Sequence, residues 1–294
     1  MNNIETEVVF PISLANDVFD ILIERNLNVL RYKDLDTKDS WCGSRCRYID
    51  EYVRFKTGSL NPFSFTRAIF TYFILKRYTP SYIWISQRFG KKNVPATVIL
   101  QHDADVMPER TLDMIKLEHA KGIKSSCYIF SEHAENIVYN LPIEELKKFE
   151  DHGFEIGYHL NAFERANYNS KYAFDLVKKD LDYLSQFFNI TSYVPHGGVY
   201  SKDGRNNYSL PHKERLKPLT LAYNGNCILK EFTWSDGGIK KSTPSDPRVF
   251  ARELPNNSRA IMLMHPQYYG TTLRHDWETL PISKSKWWRK LWGL

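Results

Sequence analysis

The 294-residue chain has only four cysteines, too few for a disulfide framework at this length, so reduced thiols are the default. Cys42 and Cys46 have the spacing of half a zinc site, but Cys127 and Cys227 stand alone, which argues against structural zinc. No run of 18 apolar residues occurs. Residues 63–89 come closest and are interrupted by Arg67, Lys76, Arg77 and Pro80, too costly for a single bilayer span. The first 14 residues carry Glu5 and Glu7 and no basic n-region, so no secretory signal is read there and a cytoplasmic protein is expected. Internal repeats and low-complexity segments are missing. So are a Gly-x-Ser-x-Gly elbow and a glycine-rich phosphate loop, which removes nucleophile-elbow hydrolases and phosphate-loop proteins from consideration.

What is present is an ordinary globular composition, 42% hydrophobic and 14% aromatic, with a formal net charge of +6. Gly-Lys-Lys-Asn-Val-Pro at 90–95 punctuates the chain. Beyond it, short apolar runs alternate with helical patterns. Strands are expected at 96–101, 125–130, 154–159, 192–195, 220–223, 231–234 and 260–264. Pro108 in a first turn and Gly122 at a C-cap bound one helix, and Ile143, Leu146 and Phe149 mark a second. The stripe of Phe174, Val177, Leu181, Leu184 and Phe188 gives a third over 171–188. This repeated order of strand then helix predicts an α/β fold with a parallel sheet, open or closed into a barrel. In either form, ligands gather at the C-terminal ends of the strands.

The polar residues stand at those ends. Strand alternation puts Asp103 and Asp105 on one side, while His159, His196 and His265 each follow or finish a different strand. Taken singly, each histidine reads as a packed or capping residue, and the two aspartates suit the start of the helix at Pro108. Taken together, two carboxylates and three imidazoles at equivalent strand ends suit a divalent metal with an open position for water. A carboxylate left over can take the water's proton, and a histidine left over can protonate a leaving group.

His102-Asp103-Ala104-Asp105, followed by a helix and by Gly-Ile-Lys-Ser-Ser-Cys-Tyr-Ile-Phe at 122–130, resembles the first motif region of polysaccharide deacetylase-like proteins with the NodB-type fold. The branch it resembles reads His-Asp-x-Asp. His-Gly-Phe-Glu-Ile-Gly-Tyr-His at 152–159 looks like the second motif, and Met-Leu-Met-His-Pro at 262–266 looks like the last. Phe-Thr-Trp-Ser-Asp-Gly-Gly at 232–238 resembles a Ser-Asp stretch of the same branch. The resemblance covers about residues 98–268. It implies a distorted (β/α)7-type barrel, here with an N-terminal extension, and hydrolysis of an N-acetyl group on an amino sugar by metal-activated water. Carried over, Asp105 and His159 are metal ligands, Asp103 is the base and His265 the acid that protonates the departing amine. Trp234, Asp236 and His102 are expected to contact substrate, and zinc is the expected ion.

Three departures accompany the resemblance. Where the main branch has a second histidine four residues after the first, this chain has Phe163; His196 is the natural replacement, with Asn161 and Glu164 as further candidates. Ala104 separates the two aspartates, so base and ligand could exchange roles. Val-Pro-His-Gly-Gly at 194–198 stands in place of Arg-Pro-Pro-x-Gly. The expected activity is removal of an N-acyl group from an amino sugar, nucleotide- or lipid-linked or in an oligosaccharide, during surface polysaccharide or glycolipid synthesis. The alternative is an inactive carbohydrate-binding or scaffold protein on the same fold.

Charge divides the chain into an accessory region at 1–95, the catalytic barrel at 96–283 and a tail at 284–294. Residues 41–95 carry +8 and the tail +4, while the barrel is slightly acidic. No nucleic-acid-binding motif is present, so no nucleic-acid partner is expected. The tail interleaves Trp287, Trp288 and Trp292 with Lys284, Lys286, Arg289 and Lys290, a composition suited to an anionic membrane surface and hence to a peripheral location. Deletion of 284–294 is predicted to reduce co-flotation with anionic vesicles and to spare metal binding; unchanged flotation would return the tail to simple packing on the protein.

Overall fold

The computed structural model describes residues 10–34, 95–132, 139–198, 200–210, 216, 219–222, 232–237, 246–256 and 258–270. Cys42 and Cys46, residues 63–89 and the tail at 284–294 lie outside the described residues. In chain order the elements are β1 (Phe10–Pro11), α1 (Ile12–Glu24), β2 (Asn28–Leu30), a single-turn helix (Tyr32–Asp34), β3 (Thr97–Ala104), α2 (Pro108–Ala120), β4 (Ser126–Ile129) and α3 (Ile143–Asp151). There follow β5 (Glu155–Leu160), α4 (Ala162–Arg165), α5 (Ser170–Leu184), β6 (Ser192–Pro195), β7 (Thr220–Leu221), β8 (Phe232–Ser235), α6 (Pro247–Glu253), β9 (Arg259–Met264) and β10 (Tyr269–Gly270).

Among the described residues, seven strands run in the order β7-β6-β5-β4-β3-β9-β8, all parallel. The sheet is curled and open, a half-barrel with helices on its outer face, which is the distorted barrel expected. An eighth strand, β2, also joins β3. The long β3 strand pairs Thr97 to His102 with β9 along one edge and divides the other: Thr97 to Ile99 pair with β2, and Gln101 to Ala104 pair with β4. The break at 90–95 is therefore not where the fold begins, because residues 10–34 belong to the sheet and its core. The sequence reading passed over α1, although Leu14, Ala15, Val18, Phe19, Ile21 and Leu22 form its buried stripe. Arg25, just past its end, donates to the carbonyls of Ala251 and Leu254 at 2.7 Å each, satisfying backbone oxygens at the end of α6.

Side-chain parity sorts the core into two outer clusters and one inner one. Val98, Leu100, Trp234, Ala260, Met262 and Met264 face outward against α1 and α6, and Cys127, Ile129, Ile156, Tyr158 and Leu160 face outward toward α2, α3 and α5. Ile99, Tyr128, Val194 and Ile261 face the concave interior together with Tyr32 from the turn after β2. The two glycines of the 152–159 motif serve this arrangement. Gly153, at φ +100°, closes α3 in a backbone conformation that side-chain-bearing residues rarely adopt. Gly157 lies under Tyr128, where an added Cβ would fall 2.3 Å from Cε1 of the ring.

Two substitutions probe this packing. Phe19→Ala is predicted to lower unfolding free energy by about 3–5 kcal/mol in urea, because α1 is part of the core. Gly157→Ala is predicted to lower it by roughly 1–3 kcal/mol by driving Tyr128 off its seat. A Phe19→Ala protein as stable as the wild type would show that α1 is dispensable to the barrel.

Candidate metal centre

The inward parity of β3 continues from Gln101 through Asp103 to Asp105, one residue past the end of the strand. β5 delivers His159 on the same face, and β6 releases His196 immediately after Pro195. In the register of these two strands His159 lies beside Val194, so His196 follows on the same inward side. The three side chains meet: one donor atom from each of Asp105, His159 and His196 lies within 4.8 Å of the others. His159 Nε2 is 2.9 Å from Asp105 Oδ1, and His196 Nε2 is 3.8 Å from the same oxygen.

The environment orients each donor. His159 Nδ1 lies 2.9 Å from the carbonyl oxygen of Val194, which can only accept, so Nδ1 carries the proton and Nε2 faces the cluster. Phe130 stacks flat on His159 with centroids 4.8 Å apart and meets His196 edge-on at 5.2 Å, wedging both rings. His196 Nδ1 faces Glu164 Oε2 at 3.4 Å, and Asn207 steadies that carboxylate. Gly198 leaves room for this contact, since a Cβ there would sit 2.5 Å from Glu164 Oε2. Asp105 Oδ2 accepts from Gln267 Nε2 at 3.2 Å.

A buried aspartate resists ionisation. Here that effect is outweighed by His196, by the hydrogen bond from His159 and by His265, which together hold Asp105 well below the usual carboxylate range. Burial likewise opposes charge on His196, but Asp105 and Glu164 raise its pKa. One carboxylate and two imidazoles, each imidazole with its second nitrogen facing an acceptor, match the donor set of a catalytic divalent-metal site. The residues present fit a divalent ion.

Two further groups flank the cluster. Asp103 accepts from Gln101 through Oδ1 at 2.7 Å and brings Oδ2 to 3.8 Å from His159 Nε2. His265 sets Nε2 3.7 Å from Asp105 Oδ2. Both oxygens of Asp236 serve His265, one accepting from its backbone N–H at 2.9 Å and the other paired with Nδ1 at 2.5 Å. Burial pushes the His265 pKa down, yet Asp236, Asp105 and Asp103 carry it up to about 10.

The structure corrects three expected substrate contacts. His102 faces outward, fully buried under α2, with Nε2 2.7 Å from Glu118 Oε1; its charge pair fastens the helix to the sheet. Trp234 is on the outward face of β8 inside the core shared with α1. Asp236 is fully buried and committed to His265, so it positions that ring instead of meeting substrate. Of the two further ligand candidates, Glu164 does not join the cluster of carboxylate and imidazole donors. Asn161 donates to the carbonyl of Glu132 at 2.8 Å, and Glu164 acts on His196. Phe163 is packed in the core at 1% exposure. Phe130, Gln101 and Gln267 escaped the sequence reading. Glu164 was offered there as a further ligand candidate, and the structure gives it the role of facing His196 Nδ1 instead.

No family model matches the chain, and no curated protein does. Solved structures that resemble it include the wild-type form of a CE4 family pseudoenzyme from Bacillus anthracis. That match has a TM-score of 0.37, 14% identity, and covers 57% of this chain and 54% of the other. A mutant of that pseudoenzyme with restored enzymatic activity matches with a TM-score of 0.38 and 14% identity, covering 57% and 56%. The chain spans little more than half the length of these structures, and likeness at this level bears on neither activity nor substrate.

The His265–Asp236 pair carries a pH signature in the metal-free protein. The folded pKa of about 10 lies above the ordinary 6.5, so its stabilisation is complete below pH 6.5 and is lost as pH rises through about 10. Asp236→Asn is predicted to flatten this loss between pH 7 and 9 in urea denaturation and to lower the ring titration read by NMR. A His265 ring that titrates normally in the wild type would contradict the pairing.

Proposed function

We propose that the chain is a metal-dependent amide hydrolase that removes an N-acyl group, N-acetyl foremost, from an amino sugar, in the manner of the polysaccharide deacetylase-like proteins its motifs resemble. The observation that carries this reading is the convergence of Asp105, His159 and His196 with Asp103 on one flank and the Asp236–His265 pair on the other. The resemblance of the motifs supplies the substrate class, an amino sugar in surface polysaccharide or glycolipid synthesis.

Asp105, His159 and His196 would hold a divalent ion, zinc on this donor set, which supplies when bound a Lewis acid and a more acidic water. Asp103, with Oδ1 held by Gln101 and Oδ2 turned toward the cluster, takes the proton of the attacking water. Water oxygen adds to the acyl carbon as the carbon–nitrogen bond breaks. His265, protonated at neutral pH through Asp236, gives its Nε2 proton to the departing amine nitrogen. The fixed orientation of both groups removes reorganisation from the step.

Full-length protein loaded with zinc is predicted to bind near one equivalent and to release acetate from N-acetylglucosamine oligomers or a nucleotide-linked N-acetyl sugar. Asp105→Ala should lose the metal. Asp103→Asn should keep it and lower kcat by about 10²–10⁴-fold, the scale of a positioned general base. A wild-type protein without bound divalent ion, together with undiminished cellular function of Asp105→Ala, would favour a silent carbohydrate-binding scaffold.

A further inference from the structure

We propose that Tyr32 and Gln101 are positioning residues, a hydrogen-bonded relay through the interior of the half-barrel that fixes the carboxylate of Asp103 beside the ligand cluster. The inference rests on the metal-dependent reading above and extends the site to a segment of the chain that the motifs do not reach.

The relay begins in the turn Tyr32–Asp34, after β2. Its backbone is fastened to the starts of three strands. Tyr32 N–H donates to Ser126 Oγ at 3.0 Å, and Lys33 N–H donates to Glu155 Oε2 at 3.0 Å. Ser126 and Ser192 donate to the two oxygens of Glu155 at 2.7 and 2.5 Å. The Tyr32 ring then enters the inner core, 1% exposed and edge-on to Tyr128 with centroids 6.1 Å apart. Its hydroxyl donates to Gln101 Oε1 at 2.9 Å, and Gln101 Nε2 donates to Asp103 Oδ1 at 2.7 Å.

The polarity of this chain is fixed at its upper end. A carboxylate only accepts, so Gln101 must turn its NH₂ to Asp103 and its carbonyl to Tyr32, and the phenol must be the donor. Gln101 is fully buried, which makes a misoriented amide expensive. With Oδ1 engaged, Oδ2 is the oxygen left toward His159 Nε2, 3.8 Å away. The terminal torsion of an aspartate is soft by itself. Untethered, Asp103 is near enough to join Asp105 as an additional ligand and fill the position that water needs. The relay keeps it beside the ligand set and outside it. A phenylalanine at position 32 would fill the same interior space, so the hydroxyl's contribution is the link to Gln101.

The test uses the full chain. Tyr32→Phe removes the hydroxyl alone, and Gln101→Met keeps the side-chain length while removing both amide groups. Urea unfolding of Tyr32→Phe, Asp103→Leu and the double variant forms a mutant cycle. The effect of Tyr32→Phe on the unfolding constant is expected to shrink by about fivefold in the Asp103→Leu background. Additive effects overturn the relay. Titration with cobalt(II) supplies a second readout: Gln101→Met should bind one equivalent with an altered visible spectrum, and Tyr32→Phe should shift it in the same direction. Wild-type spectra in both variants overturn the positioning role. A wild-type protein that binds no cobalt(II) defeats the metal-dependent reading, and the unfolding cycle then decides the relay alone.

Discussion

The strict alternation of side chains along β3 is the constraint on which the rest of the molecule depends. In a curled parallel sheet, one parity faces the helices and the other faces a narrow interior. Val98, Leu100 and His102 take the first, and Ile99, Gln101 and Asp103 take the second. A one-residue slip would place His102 among the ligands and drive Asp103 under α2. The register is held from three directions, because β9, β2 and β4 all pair with this strand. The chemistry at the strand ends therefore inherits its geometry from the most heavily paired strand in the fold.

That geometry gathers charges which would be unfavourable if left singly. Asp103 and Asp236 are almost wholly shielded from water, and each is matched within hydrogen-bonding reach. Removing ions from water costs several kcal/mol apiece, so a compact set of this kind is seldom assembled for stability. Apolar clusters on the outer face of the sheet supply the driving force, and the interior spends part of it on order. Glu155, Gln101 and Asp236 are all buried polar groups that hold something else in place. The site is thus built in two tiers, with one group touching the reacting region and a second behind it.

Much of this was legible in the sequence. β-branched and apolar runs located β3, β4, β5, β6, β8 and β9 to within a few residues, and the stripe on α5 was clear. Asp103, Asp105, His159, His196 and His265 were all singled out from their places at strand ends. What was hidden depended on pairing or on helix faces. Asn28–Leu30 is too short to stand out, and only its pairing with β3 reveals it as part of the sheet. The opposite failing applies to His102. Alternation already assigned Asp103 and Asp105 to one face, which sends His102 to the other, where substrate cannot go. Trp234 was misread because aromatic residues near a motif suggest sugar stacking, whereas parity on β8 puts it in the core.

The position of the third ligand follows from the same geometry. In the main branch of polysaccharide deacetylase-like proteins, from which this sequence departs, a second histidine comes four residues after the first, the position held here by Phe163. Phe163 lies in the first turn of α4 and packs into the outer cluster, so that turn is part of the core. β6 provides an equivalent approach, because its pairing with β5 carries the chain past His159 and out on the inward side. Glu164, from the same turn as Phe163, faces the His196 imidazole through Nδ1. The segment after β6 gives the third donor of the cluster, and the turn after β5 orients it. Without Glu164 the His196 ring would keep its edge contact with Phe130 but lose the acceptor that faces Nδ1. Together they complete a three-donor cluster in a chain that lacks the second histidine of the main-branch motif, which a comparison of sequence motifs alone would read as a missing donor.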